Sequence, residues 1–241
     1  MFCFGQKKEW QMLYELRHYD LISSRARAVL NTRFERHTLP IWKRIGIEAV
    51  GFWWVFVGKS PRMTYMLAWE SLARREQLWE EFEADTQWQA ARAASIAEAG
   101  YNPIRTVTST ILRPTPYSFQ ARQRNQPSRL EGGIFELRSL AFDDGRKLNE
   151  VSEWFEQHWQ AAMEAHGMFA MGFWTTVIGV APRLTYMLVF EDLAHRDRAW
   201  ASFHTDPHFQ ALQDGLYPNG QPLIVRTDSC LMHGTEFPGW R

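Results

Sequence analysis

Cysteine is nearly absent. The 241 residues hold two, Cys3 and Cys230, at opposite ends of the chain and without metal-ligand spacing. That excludes a disulfide framework and a structural zinc site, and it leads us to expect a reducing, cytoplasmic compartment. An excess of charge of one sign is also missing, because 27 Lys and Arg balance 27 Asp and Glu. Nucleic acid and anionic membranes therefore exert no general pull, and neither is expected as a partner. Long apolar runs are lacking too: no window approaches the roughly 18 residues of a membrane span, and the opening MFCFGQKKEW has no secretory core. The absence of GxGxxG, P-loop, HExxH and CxxC patterns argues against nucleotide-dependent and zinc chemistry. No metal and no organic cofactor are expected.

Aromatic residues are plentiful, with 12 Trp and 16 Phe in a chain that is 45% hydrophobic and 22% charged. This composition belongs to a folded protein with aromatic-rich cores or pockets.

The chain writes one sentence twice. GFWWVFVGKSPRMTYMLAWESLARREQLW begins at Gly51, and GFWTTVIGVAPRLTYMLVFEDLAHRDRAW begins 121 residues later at Gly172. Residues 12–90 and 133–211 align without a gap and agree at about 28 of 79 positions. Solenoid units run only about 20 to 50 residues, so a period this long marks a duplicated domain. The expected organisation is a first domain at 1–112, a Pro- and Arg-rich linker at 113–131 and a second domain at 132–241.

Within the first copy, MLYELRHYD (12–20) reads as a strand. Residues 25–45 read as a helix with Leu30, Phe34, Ile41 and Ile45 on one stripe and Gly46 as its stop. AVGFWWVFVG (49–58) and RMTYMLAWE (62–70) read as a hairpin. SLARREQLWEEFEAD (71–85) reads as a Ser-capped helix, and IRTVTSTIL (104–112) as a last strand matched by 223–232 in the second copy. Asp85 and Asp206 read as turn or cap residues. The order βαββαβ is the ferredoxin-like unit of the α+β class, with both helices on one sheet face. The other face of each sheet needs a cover, which a second copy in the same chain supplies. The expectation is a dimeric α+β barrel formed as an intrachain pseudo-dimer, compatible with a further homodimer.

YELRHY (14–19), the two GFW hairpins, TYMLAWESLARRE (64–76), RLTYMLVFEDLAHRDRAW (183–200) and LRPTPYS (112–118) together resemble the NIPSNAP family over nearly the whole chain. The resemblance implies the dimeric α+β barrel superfamily, which includes antibiotic-biosynthesis monooxygenases, muconolactone-type isomerases, haem-degrading oxygenases and polyketide cyclases. NIPSNAP members themselves are mostly of undefined activity, some being described as interaction or vesicle-associated proteins. The second copy departs from the pattern: FELRSL lacks the later Tyr of YELRHY, and HWQA lacks the Pro of HTLP. The two copies are therefore not expected to carry equivalent sites.

His37 falls in line with the apolar stripe of the first helix, and His158 takes the same place in the second copy. A half-buried imidazole there suits a general base or a haem ligand, against the alternative of a core histidine bonded to a carbonyl or carboxylate. Glu15 and Arg17 share one face of the first strand, as Glu136 and Arg138 do in the second copy. They form either a structural ion pair or a barrel-facing site in which Arg holds a carboxylate or enolate oxygen and Glu acts as base. Trp53, Trp174, Tyr65 and Tyr186 on the hairpins either line an aromatic pocket or pack a core. The leading expectation is an enzyme without an organic cofactor, doing acid/base (isomerase or cyclase type) or oxygenase chemistry on a small apolar or aromatic molecule. The alternatives are a haem or hydrophobic-ligand binding module and a non-enzymatic interaction protein.

Overall fold

Alternation along β1 (Leu13–Leu21) sends odd-numbered side chains to one sheet face and even-numbered ones to the other. The computed structural model describes residues 12–118, 133–235 and 237. In the first unit β1 is followed by helix α1 (Ala26–Arg33), a π-helical turn (Phe34–Thr38) and α2 (Leu39–Ile45). The chain continues through β2 (Glu48–Val57), β3 (Arg62–Trp69), α3 (Leu72–Ala84), α4 (Thr86–Ala99) and β4 (Ile104–Pro114). Strand β3 pairs antiparallel with both β1 and β2, setting Glu15 opposite Leu67, Arg17 opposite Tyr65 and His18 opposite Thr64. A bulge between Ala49 and Gly51 shifts the register of β2.

Leu21, Phe52, Trp54, Met63, Tyr65, Leu67 and Trp69 point toward the helices and build one core with Leu30, Phe34, Ile41, Trp42, Leu78 and Phe82. Burying each large apolar side chain stabilises the unit by about 1.5–3 kcal/mol. Gly46 ends α2 at φ 87°, a left-handed conformation that favours glycine. Ser71 caps α3 by accepting from the Arg74 amide, and Asp85 caps α4 by accepting from the Trp88 amide. Helix α4 is not legible in the sequence pattern, because it buries only Trp88 and Ala91 and, Ile96 apart, its other residues are small or polar.

The second unit repeats the series as β5 (Ile134–Ala141), α5 (Gly145–Trp154), a π-helical turn (Phe155–Trp159), α6 (Gln160–Ala165), β6 (Phe169–Ile178), β7 (Arg183–Phe190), α7 (Leu193–Thr205), α8 (Pro207–Gln213) and β8 (Arg226–Gly234). Its bulge between Ala170 and Gly172 repeats that of β2. The eight strands hydrogen-bond in the closed order β1-β3-β2-β8-β5-β7-β6-β4, an antiparallel barrel made from two tandem repeats.

Among the described residues the compact units are 12–111 with 235 and 237, and 112–118 with 133–234. Residues 113–118, expected to open the linker, extend β4 and then pack in the second unit. There the Thr115 amide donates to the Phe173 carbonyl at 2.9 Å, and the Phe173 amide donates to Ser118 Oγ at 2.9 Å. In the first unit the Thr235 amide donates to the Phe52 carbonyl, and Phe237 stacks on Phe34 with ring centroids 5.9 Å apart. The rest of the expected linker, 119–131, lies outside the described residues, as do Cys3 and the opening MFCFGQKKEW. Among the described residues no helix is long and apolar enough to cross a membrane.

Candidate active site

Glu15 is fully buried and faces the helices. Arg75 grips its carboxylate through Nε and Nη2 at 2.8 and 2.7 Å, and Arg17 donates at 2.7 Å. The indoles of Trp69 and Trp79 donate at 3.0 and 3.2 Å, and the Ser109 hydroxyl donates at 2.5 Å. Burial alone would raise this carboxyl. The Arg75 hydrogen bonds, the Arg17 charge and the Ser109 hydroxyl reverse that and bring it from 4.5 down to about 2. A carboxylate whose lone pairs are all engaged, and which resists protonation, is an anchor for the sheet and not a base. Arg17 is engaged as well, lying 4.6 Å over the Trp79 ring. Of the two alternatives expected for Glu15 and Arg17, the geometry is that of the ion pair on the helix side.

Glu136 repeats the arrangement more sparsely. Arg138 and Arg196 donate to it at 2.7 Å each and Trp200 at 3.0 Å, and Arg138 also reaches the Tyr186 hydroxyl at 2.9 Å. Against the raising effect of burial, Arg196 and Arg138 hold the Glu136 carboxyl below the usual range. Tyr65 and Tyr186 are buried on the helix side beside these arginines, and burial raises both phenols.

His37 and His158 are exposed. The reason is the π-helical turn that each occupies, which widens the helix by one residue. The buried stripe then runs from Phe34 to Thr38 and Ile41, and from Phe155 to Trp159 and Met163, leaving each histidine outside it. An axial haem ligand needs an imidazole directed into an apolar slot that covers the porphyrin, and these two positions do not fit that need.

The sheet face turned away from the helices carries a different set. Trp53 lies on it, with its indole folded back so closely over Gly51 that a Cβ there would fall 2.4 Å from the ring; Trp174 covers Gly172 in the same way. Opposite Trp53 across the β2–β3 pair stands Thr64, whose Oγ1 is 2.9 Å from His18 Nδ1. His18 is half-buried, and beside it Asp20 is bound by Arg62 at 2.6 Å and by Lys59. Burial first, then the charges of Arg62 and Lys59 against the opposing Asp20, lower His18 from 6.5 to about 4. The imidazole is therefore neutral near pH 7. The sequence signal for His18 was its place in YELRHY, one residue from the charged pair that drew attention. Ser139 stands at the same place in the second unit and accepts from Arg183 at 3.1 Å, so that unit has no imidazole there.

One further constellation is not visible in the spacing: His166 lies 2.8 Å from both Ser202 Oγ and Asp206 Oδ2. Ser202 sits inside α7, whose amides are spent on the helix, and Asp206 also caps α8 through the His208 amide. The trio ties helix ends together and has no oxyanion hole.

The NIPSNAP family model matches residues 14–119 and again 135–238. A protein from Lactobacillus acidophilus NCFM, assigned provisionally as a monooxygenase, is 10% identical over 92% of both chains with a TM-score of 0.54. An anthrone oxidase-like protein is 8% identical over 94% of this chain and 92% of its own, with a TM-score of 0.57. An uncharacterised NIPSNAP-like domain protein from Burkholderia xenovorans is 23% identical over 45% of this chain and 89% of its own, with a TM-score of 0.40. No curated protein matches in sequence. At these identities the likeness to the solved structures is one of fold.

Proposed function

The chain belongs to the NIPSNAP family, and from that premise we propose an enzyme without an organic cofactor that binds a small apolar or aromatic molecule against the helix-free face of its first sheet. The observation that carries this reading is His18, a neutral imidazole held by Thr64, the residue that pairs with Trp53 across the ladder on that face. A neutral imidazole accepts a proton from an enolisable or phenolic substrate. The anion so formed offsets the neighbouring cations and raises the imidazole toward the pKa its task needs. The supporting fold is one shared with proteins named as oxygenases, and oxygen chemistry on a carbanion needs no cofactor electrons.

Anthrone is the appropriate first probe, because its C10–H is acidic and flanked by two aromatic rings. His18 takes the C10 proton, the carbanion passes electrons to dioxygen, and anthrone plus O2 yields anthraquinone plus water. Oxygen is reduced, the C10 carbon is oxidised, and every atom is accounted for. The test is oxygen uptake with anthrone by wild type and His18→Gln. We expect uptake by the wild type and a loss of about 100-fold or more in the variant, the range of general-base contributions. Equal rates in the two proteins, or no uptake by the wild type with anthrone and related phenols, would overturn the reading.

A further inference from the structure

Arg33 is a buried cation, 3% exposed, on the helix side of the first unit. Among the described residues no carboxylate pairs with it. Its contacts are a long 3.5 Å hydrogen bond to Ser95 and the Trp88 ring at 5.6 Å, and its Nε has no partner. A buried guanidinium left like this is costly, and burial lowers its pKa accordingly.

Next to it, between the π-helical turn with α2 and helix α4, lies an open groove of about 500 Å³. Pro40, Ile41, Ala90, Ala91 and Ala94 give it an apolar floor, Arg36 and His37 stand on its rim, and no acidic residue lines it. Arg33 does not itself line the groove but lies at its end, one turn before Arg36 and His37 on the same helix, and it donates to Ser95, which directly follows the lining residue Ala94.

The second unit indicates what such a groove holds. At the offset of 121 residues, Trp154 replaces Arg33 and Gly215 replaces Ala94. The Trp154 indole packs on Trp159 with centroids 4.8 Å apart, and its Nε1 lies 3.1 Å from where a Cβ on Gly215 would stand. In the second unit an aromatic ring from the chain itself therefore stands where the first unit has Arg33, and it packs against the residue equivalent to Ala94 of the groove. The first unit has instead small residues along α4 and a guanidinium without a carboxylate partner.

We infer that the first-unit groove binds a small aromatic carboxylate, its ring lying on Ala90, Ala91 and Ala94 as the indole of Trp154 lies on Gly215, and its acid group on Arg33. The carboxylate supplies the missing counter-charge, and the groove supplies the apolar contact. The site is on the helix layer and does not depend on the His18 face, so the two readings stand or fall separately.

Titration calorimetry of the full chain with indole-3-carboxylate tests this, with uncharged indole as the comparison. Wild type should saturate with the acid and bind indole at least about tenfold more weakly, the worth of one hydrogen-bonded charge contact. Arg33→Met should weaken the acid by the same factor and leave indole unchanged. Ala90→Trp, which changes an exposed residue and leaves Arg33 in place, should block both ligands, and it keeps the test open if the Arg33 variant fails to fold. Absence of saturable binding to the wild type, or equal affinity of the acid for wild type and Arg33→Met, would overturn the assignment.

Discussion

The two repeats hold the same glutamate on the same strand and surround it differently. Glu15 meets two arginines, two indoles and a hydroxyl, whereas Glu136 meets Arg138, Arg196 and one indole. Phe190 stands where Trp69 donates, Cys230 stands where Ser109 donates, and Arg196 divides itself between Glu136 and Asp197 where Arg75 gives both nitrogens to Glu15. The ion pair is common to both copies and so belongs to the fold, and its hydrogen-bond shell is the fuller in the first copy. Chemistry has to be sought where the copies differ in kind, at His18 against Ser139 and at Arg33 against Trp154.

The comparison breaks most sharply at the carboxylates. Glu15→Gln leaves the half-buried Arg17 and Arg75 without the buried carboxylate that balances them, and breaking an ion pair with a buried partner costs up to about 3–5 kcal/mol. Glu136→Gln should cost clearly less, because Arg196 keeps Asp197. Urea unfolding of the two variants beside wild type measures both losses. Equal losses would mean that the additional donors around Glu15 add nothing.

Next in size is the pH response of the first unit. His18 has a folded value of about 4 against an ordinary 6.5, so protonation favours the unfolded chain. Its contribution, up to about 3 kcal/mol for a displacement of this size, is fully present above pH 6.5 and is lost as pH falls toward 4. Glu15, displaced from 4.5 to about 2, adds a second loss that begins near pH 4.5 and runs toward pH 2. Stability measured at pH 7 and at pH 4.5 should fall steeply in wild type. In His18→Gln the fall over the same interval should be clearly smaller, the remainder coming from groups such as His204 of the second repeat, where burial and the Arg138 charge also lower the imidazole.

Much of this architecture was legible in the sequence. The repeat, the strand order and the Ser71, Asp85 and Asp206 caps rest on patterns that local physics enforces: a period of two in strands, turn residues at hairpins and side-chain acceptors at helix starts. The candidate site was less legible, for identifiable reasons. Spacing alone placed His37 on the apolar stripe, and a π-helical turn, which has no sequence signature here, moved it off. Alternation placed Glu15 and Arg17 on one face but could not say which face the helices would cover. His18, one position away, went to the other face. Helix α4 escaped notice because its buried residues are few, so hydrophobic periodicity had little to register.

The smallest effect sharpens the contrast between Arg33 and Trp154. A buried guanidinium without a partner destabilises the ligand-free protein, and an apolar side chain of similar length removes that cost while retaining the packing of the stem. Arg33→Met should therefore raise the stability of the ligand-free chain by about 1–2 kcal/mol, within the range that replacing an unsatisfied polar group supplies. In the second repeat, Trp154→Arg should act in the opposite direction, because it removes the indole from Trp159 and Gly215 and buries a charge in its place. Thermal unfolding of both variants without ligand reads the two signs. A stabilised Arg33→Met shows that the native residue is kept at a standing cost to the fold, as a binding residue is. A destabilised one would mean that Arg33 serves the packing of α1 on α4 and that the groove beside it is incidental.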